Sequence, residues 1–167
     1  MTYEELLTNI DNTSWFTNSG SYRSSGNTIG IPSLSAWNDT TFEESLSAEM
    51  KKIASSMDWF PSSRDQKDPF HGQELTKRVA AVEGGKTKVM TAYKVASKKL
   101  SNYDKTKFVS GPHDYSITAK SAALYCVRMA AMECLSNNQG IWVEVFKVYS
   151  QGYWPCGLLP DNKLVVY

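Results

Sequence analysis

His71 and His113 are the only two histidines in the sequence, and they are the side chains best suited to move a proton near neutral pH. Each sits in a loop-like stretch beside a carboxylate. One lies in Ser63-Arg64-Asp65-Gln66-Lys67-Asp68-Pro69-Phe70-His71-Gly72, the other in Gly111-Pro112-His113-Asp114. An imidazole beside a carboxylate serves as a general base or as a metal ligand. Asp68, His71, His113 and Asp114 would form a hydrolytic or metal-assisted centre if the two loops met, and no spacing in the sequence brings them together. The competing reading gives Asp68, His71 and Asp114 structural work: they cap helices and brace loops through side-chain hydrogen bonds. Cys156, in Trp154-Pro155-Cys156-Gly157, is a third candidate as a nucleophile. Its neighbours in sequence are not the kind that lower a thiol pKa, so a buried turn cysteine is the plainer reading. Cys126 and Cys134 stand eight apart, on one helical face, and read as small buried hydrophobes. With three cysteines and no CxxC, neither a disulfide framework nor a metal site is expected, and no cofactor is called for.

Charge is unevenly spread along the chain. Residues 1–70 hold ten acids and five bases, residues 71–120 four acids and ten bases, and residues 121–167 three of each, although the whole chain is only +1. Such polarity steers charged partners, or it marks solvated helix faces. The lysine-rich helices 73–107 carry Tyr93 and Tyr103, a mixture found in nucleic-acid binders. No recognition motif accompanies it, and Tyr93 falls on an expected core stripe, so nucleic acid is a minor alternative. Gly84-Gly85-Lys86-Thr87 is not a phosphate loop, because the first glycine of that motif would fall at Arg78 or Val79 and no strand precedes it.

The elements that would position these residues are mainly helical. Thr2 to Glu5 is a capping box opening a helix over 3–10, with Leu6, Leu7 and Ile10 inward. Residues 11–39 read as irregular, pinned by Trp15, Phe16, Tyr22 and Trp37. A second capping box at Thr40 to Glu43 opens a helix to about Met57, with Phe42, Leu46, Met50 and Ile53 on one stripe. Helices follow over 73–83 and 86–101, joined at Gly84-Gly85 as a helical hairpin. The helix over 118–136 is apolar nearly all round and belongs at the centre; the helix over 140–150 carries Trp142, Val145, Phe146 and Tyr149. Pro160-Asp161-Asn162 supplies turn chemistry between strands at 156–159 and 163–167. The expected fold is therefore mainly α, about six helices with a short C-terminal antiparallel β-hairpin, and α+β by a strict count. The 167 residues suit a single domain, 1–167, that hides roughly 70% of its unfolded surface. Acids near Met1, where a secretory leader carries bases, and the lack of a long apolar run point to a cytoplasmic protein with no membrane partner.

The stretches Ser63-Arg64-Asp65-Gln66-Lys67-Asp68-Pro69-Phe70-His71-Gly72 and Gly152-Tyr153-Trp154-Pro155-Cys156-Gly157 resemble a group of small, uncharacterised bacterial cytosolic proteins. Those chains also end in a helix, a G-x-W-P-C-G turn and an apolar strand. Their size and style are similar to immunity partners of secreted bacterial toxins. That similarity of size and style implies a non-enzymatic protein that occludes a toxin domain through a charged and aromatic surface, and the acidic N-terminal half offers Trp37, Asp39, Glu43, Arg64, Asp65 and Asp68 as candidate contacts. The alternative is a small hydrolase or metal-dependent enzyme built on His71 and His113. Oligomeric state is not legible.

Overall fold

A computed structural model describes residues 1–19, 27–30, 72–110, 113–114, 116–137, 141–158 and 163–166. Helix α1 spans Tyr3–Asn12. Thr2 Oγ1 accepts from the Glu5 amide at 3.1 Å and the Glu5 carboxylate accepts from the Thr2 amide at 2.7 Å, so two orphan donors of the first turn are satisfied reciprocally. Leu6 and Ile10, one turn apart, are fully buried. Strand β1 is Asn27–Gly30, α2 is Gly72–Ala80 and α3 is Gly85–Lys99. Two short 3₁₀ turns, Leu100–Asn102 and Lys105–Phe108, lead into the two-residue strands β2 (Val109–Ser110) and β3 (His113–Asp114). Helix α4 is Ser116–Leu135, α5 is Ile141–Ser150, and β4 (Pro155–Leu158) and β5 (Lys163–Val166) close the order. Among the described residues the protein is mainly helical, and no helix is long and apolar enough to cross a membrane.

Helix α4 is the hub: α1, α2, α3 and α5 all pack on it. Its composition explains the role. Ala119, Ala122, Ala123, Ala130 and Ala131 are buried, and their small side chains let neighbouring backbones approach closely. A helix with buried residues around most of its circumference has no reason to face water.

A second part of the core is aromatic. Phe16 lies edge-on to Phe108 at 5.0 Å, to Tyr103 at 5.3 Å and to Tyr149 at 6.0 Å, and Phe108 in turn meets Trp154 at 4.8 Å. Phe16 adopts φ 61°, a left-handed conformation that costs a non-glycine residue roughly 1–2 kcal/mol. Its surroundings hold it there. Lys107 Nζ donates to the carbonyls of Phe16 and Thr17 at 2.8 and 2.9 Å. The Asn18 amide donates to the Gly152 carbonyl at 2.9 Å, which clips this turn onto the end of α5. That end is a Schellman arrangement: Gly152 (φ 83°) donates to Tyr149 and Tyr153 donates to Val148.

Among the described residues three strands form an antiparallel sheet in the order β1-β5-β4, with Asn27 opposite Val166 and Leu158 opposite Leu164, and β2 pairs separately with β3. The expectation of irregular chain across 11–39 is corrected at Asn27–Gly30, which is a strand. Its partner β5 lies more than a hundred residues away, and such pairing leaves no local trace. Strand β4 sits at an edge, where Pro155 at its first position forfeits no needed donor. The register slips between Pro155 and Gly157, so Cys156 occupies a β-bulge inside a strand and not the turn before one. The expected helix over 40–57 and the anchors Tyr22 and Trp37 lie outside the described residues.

The joint between α2 and α3 makes a sharp prediction. Gly84 has φ 65° with open space where a Cβ would stand, whereas a Cβ on Gly85 would lie 2.3 Å from the Val79 carbonyl oxygen. Gly85→Ala must push two backbones apart, so it should destabilise by about 2 kcal/mol, overpacking outweighing the better helix propensity of alanine. Gly84→Ala should cost about 1 kcal/mol, from conformation alone. Urea unfolding of both variants checks the order, and an equal or reversed ranking would refute the close approach at Gly85.

Candidate functional site

Helices α2 and α3 touch at their glycine joint, and both lie on α4. Between them opens a groove of about 600 Å³ lined by Thr76 and Val79 of α2, Lys86, Val89, Met90 and Tyr93 of α3, and Arg128 and Met132 of α4. Val79, Val89 and Met132 are buried and form its floor. Thr76 Oγ1 donates to the Met132 sulfur at 3.8 Å, so the hydroxyl on that wall is satisfied within the groove. Met90 is 48% exposed, one of three large hydrophobic side chains so exposed among the described residues. Lys86 and Arg128 are exposed at the rim, and among the described residues neither takes part in a salt bridge. Among the described residues no acid lines the groove.

Tyr93 marks where the sequence reading of this face needs correction. Spacing put Tyr93 on the inner stripe of its helix. The structure buries Val89, Ala92 and Ala96 and leaves Tyr93 half-buried on the groove wall. Val89, Ala96 and Leu100 of the expected stripe are buried, and Tyr93 packs against the core from the groove wall instead of entering it. The signal that could have found the groove is Met90, an apolar side chain off the core stripe in a lysine-rich helix.

A second cleft of about 600 Å³ opens where the first turns of α1 and α5 meet the end of α4, lined among others by Tyr3, Glu4, Lys88, Glu133, Cys134, Glu144 and Lys147. Tyr3, Glu133, Glu144 and Lys147 among its polar side chains are held by partners. The Glu133 carboxylate is 2% exposed and accepts from the amides of Trp142 and Val143 at 3.1 and 2.9 Å, capping α5. Lys147 pairs with Glu144 at 2.6 Å, and Tyr3 Oη donates to the Lys88 carbonyl at 2.6 Å. The Glu133 cap and the Glu144–Lys147 pair brace this cleft from within.

The catalytic candidates are only partly described. His71 and Asp68 lie outside the described residues, as do Trp37, Asp39, Glu43, Arg64 and Asp65. The backbones of His113 and Cys156 are placed in β3 and β4. Asp114 is exposed, and its Oδ1 accepts from the Ser116 amide at 2.9 Å at the start of α4. Hydrogen bonds from the Ser116 side chain and backbone hold its carboxyl below the usual carboxylate range, which suits a cap and opposes proton uptake by a general base near neutral pH. Among the described residues no cluster of three or more His, Cys, Asp or Glu side chains suited to a metal is present.

The helix cysteines are placed for packing. Cys126 is fully buried, donates to the Trp142 carbonyl at 3.6 Å, and has its pKa pushed well up by burial and then by Glu133. Burial pushes the Cys134 thiol up to about 11, against the opposing pull of the N-terminal amine. At pH 8 such a thiol is about one part in a thousand thiolate. Iodoacetamide should therefore leave Cys126 and Cys134 unmodified in the native protein and alkylate both in urea, as read by peptide mass mapping. Rapid native alkylation of Cys134 would contradict its placement.

No protein-family model matches this chain, and no curated protein does.

Proposed function

We propose that this is a small bacterial intracellular binding protein of the immunity type, which neutralises a toxin domain by occluding it. One observation carries the binding half of this reading: an apolar groove with an exposed methionine and two rim cations that make no ion pair among the described residues. Interface cores are apolar and rich in Met, aromatic and Arg side chains, and their rims are polar. Met90, Tyr93 and Arg128 have that character. Electrostatic steering would speed capture of an oppositely charged partner. The immunity half rests on size and style, which the chain shares with the small uncharacterised bacterial proteins that its Ser63–Gly72 and Gly152–Gly157 stretches resemble.

The test is co-expression of the full chain with toxin domains encoded beside its gene. Protection of the producing cells, and recovery of a stable complex on purification, are expected. Absence of both would refute the reading.

A further inference from the structure

We infer that the element seated in the α2–α3–α4 groove is an acidic amphipathic helix of the partner protein. This rests on the binding reading above and adds the chemistry of the contact. The walls decide against an extended peptide. All three are helices, whose backbone donors and acceptors are satisfied internally. An extended segment laid between them would desolvate its own amides and carbonyls without new partners, while a helix arrives with its backbone already paired.

The dimensions agree. Lys86, Met90 and Tyr93 line one face of α3 across seven residues, about 10 Å, or two helical turns. An incoming helix with apolar residues at i, i+3 or i+4 and i+7 would set them against Val89, Met90, Tyr93 and Met132. Methionine suits such a seat because its unbranched, polarizable side chain adapts to the shape it meets.

Charge sets the flanks. From Gly72 to Lys99 the chain carries seven cations and two acids. One of those acids, Glu74, already pairs with Arg78. Lys86 and Arg128 at the rim lack a partner among the described residues, and Lys94, one turn beyond Met90, is exposed. Carboxylates flanking the apolar stripe of the incoming helix would meet these cations, while a basic helix would be repelled.

The experiment uses the full chain and a fluorescein-labelled peptide of about 16 residues, long enough to form helix on binding. It carries leucine at helical spacing and glutamate on both flanks. Two controls replace glutamate by lysine, or place proline at the centre. The acidic peptide should bind at least tenfold more tightly than either control, and binding should weaken with salt. Met90→Glu should weaken it at least tenfold with an unchanged thermal melt, as should the pair Lys86→Glu and Arg128→Glu. Equal binding of the lysine or proline control would overturn the proposal. It would also fail if Met90→Glu dissolved a dimer of the free chain, if a DNA or RNA oligonucleotide displaced the peptide, or if Met90 resisted peroxide oxidation in the free chain. These outcomes assign the groove to a second copy, to nucleic acid, or to a segment of the same chain. The two readings fail separately. Peptide binding without protection from a toxin sinks the immunity reading alone, and protection that survives Met90→Glu sinks the groove alone.

Discussion

Replacing Glu133 by alanine should lower the stability of the protein by about 3 kcal/mol. The carboxylate is 2% exposed and satisfies the Trp142 and Val143 amides at the start of α5. Losing it orphans two buried donors at about 1–3 kcal/mol each and removes a negative charge from the positive end of a helix. Relief from holding a charge out of water works in the opposite direction. The neighbouring cleft reaches both Glu133 and Val143, so water can hydrate part of what is exposed and keep the loss below the sum of the parts. Glu133→Gln retains one acceptor oxygen and should cost about half as much. Urea denaturation measures both. A loss under 1 kcal/mol for the alanine variant would show that α5 does not depend on this cap.

Deleting residues 153–167 should abolish cooperative unfolding altogether. Trp154 is 2% exposed and stacks edge-on to Phe108 at 4.8 Å, the ring that supports Phe16. Truncating a buried tryptophan costs about 3–5 kcal/mol. The deletion also removes β4 and β5, and β5 is the central strand on which β1 depends. Against a total stability of about 5–15 kcal/mol for an ordinary domain, these losses together leave little. Trp154→Ala separates the contributions: it should still fold, with a melt lowered by roughly 8–16 °C. A truncated chain that keeps a sharp thermal transition near that of the full protein would make the sheet peripheral.

The helices were legible because each carries its own signals. Thr2 and Glu5 announce α1, and both halves of that capping box are formed. Gly84-Gly85 separates α2 from α3, and the apolar run from Ala119 onward marks α4 as the centre. Boundaries were less legible. Helix α2 stops at Ala80, three residues before the expected end, because the chain must turn early for Gly85 to pass the Val79 carbonyl. Strand β1 was invisible, since four residues acquire strand character only when β5 pairs with them.

The candidate site was legible in its charge and not in its shape. The excess of lysine between residues 71 and 120 can be counted from the letters, and so can the presence of His113 beside Asp114. That the Asp114 carboxylate holds the Ser116 amide at the start of α4, and that Tyr93 packs on the core while lining a groove, are consequences of how the elements come to rest on one another.

For the two histidines, the sequence by itself determined that they sit beside carboxylates; it could not place one loop against the other, because imidazole chemistry depends on distance and distance is a tertiary property. It determined a mainly helical chain from periodicity and caps, which act within a turn or two. Tertiary structure alone decided the central place of β5, the left-handed turn at Phe16 held by Lys107, and the groove whose floor joins Val79, Val89 and Met132 from three helices. Those features depend on contacts between segments far apart in the chain, and no local pattern records them.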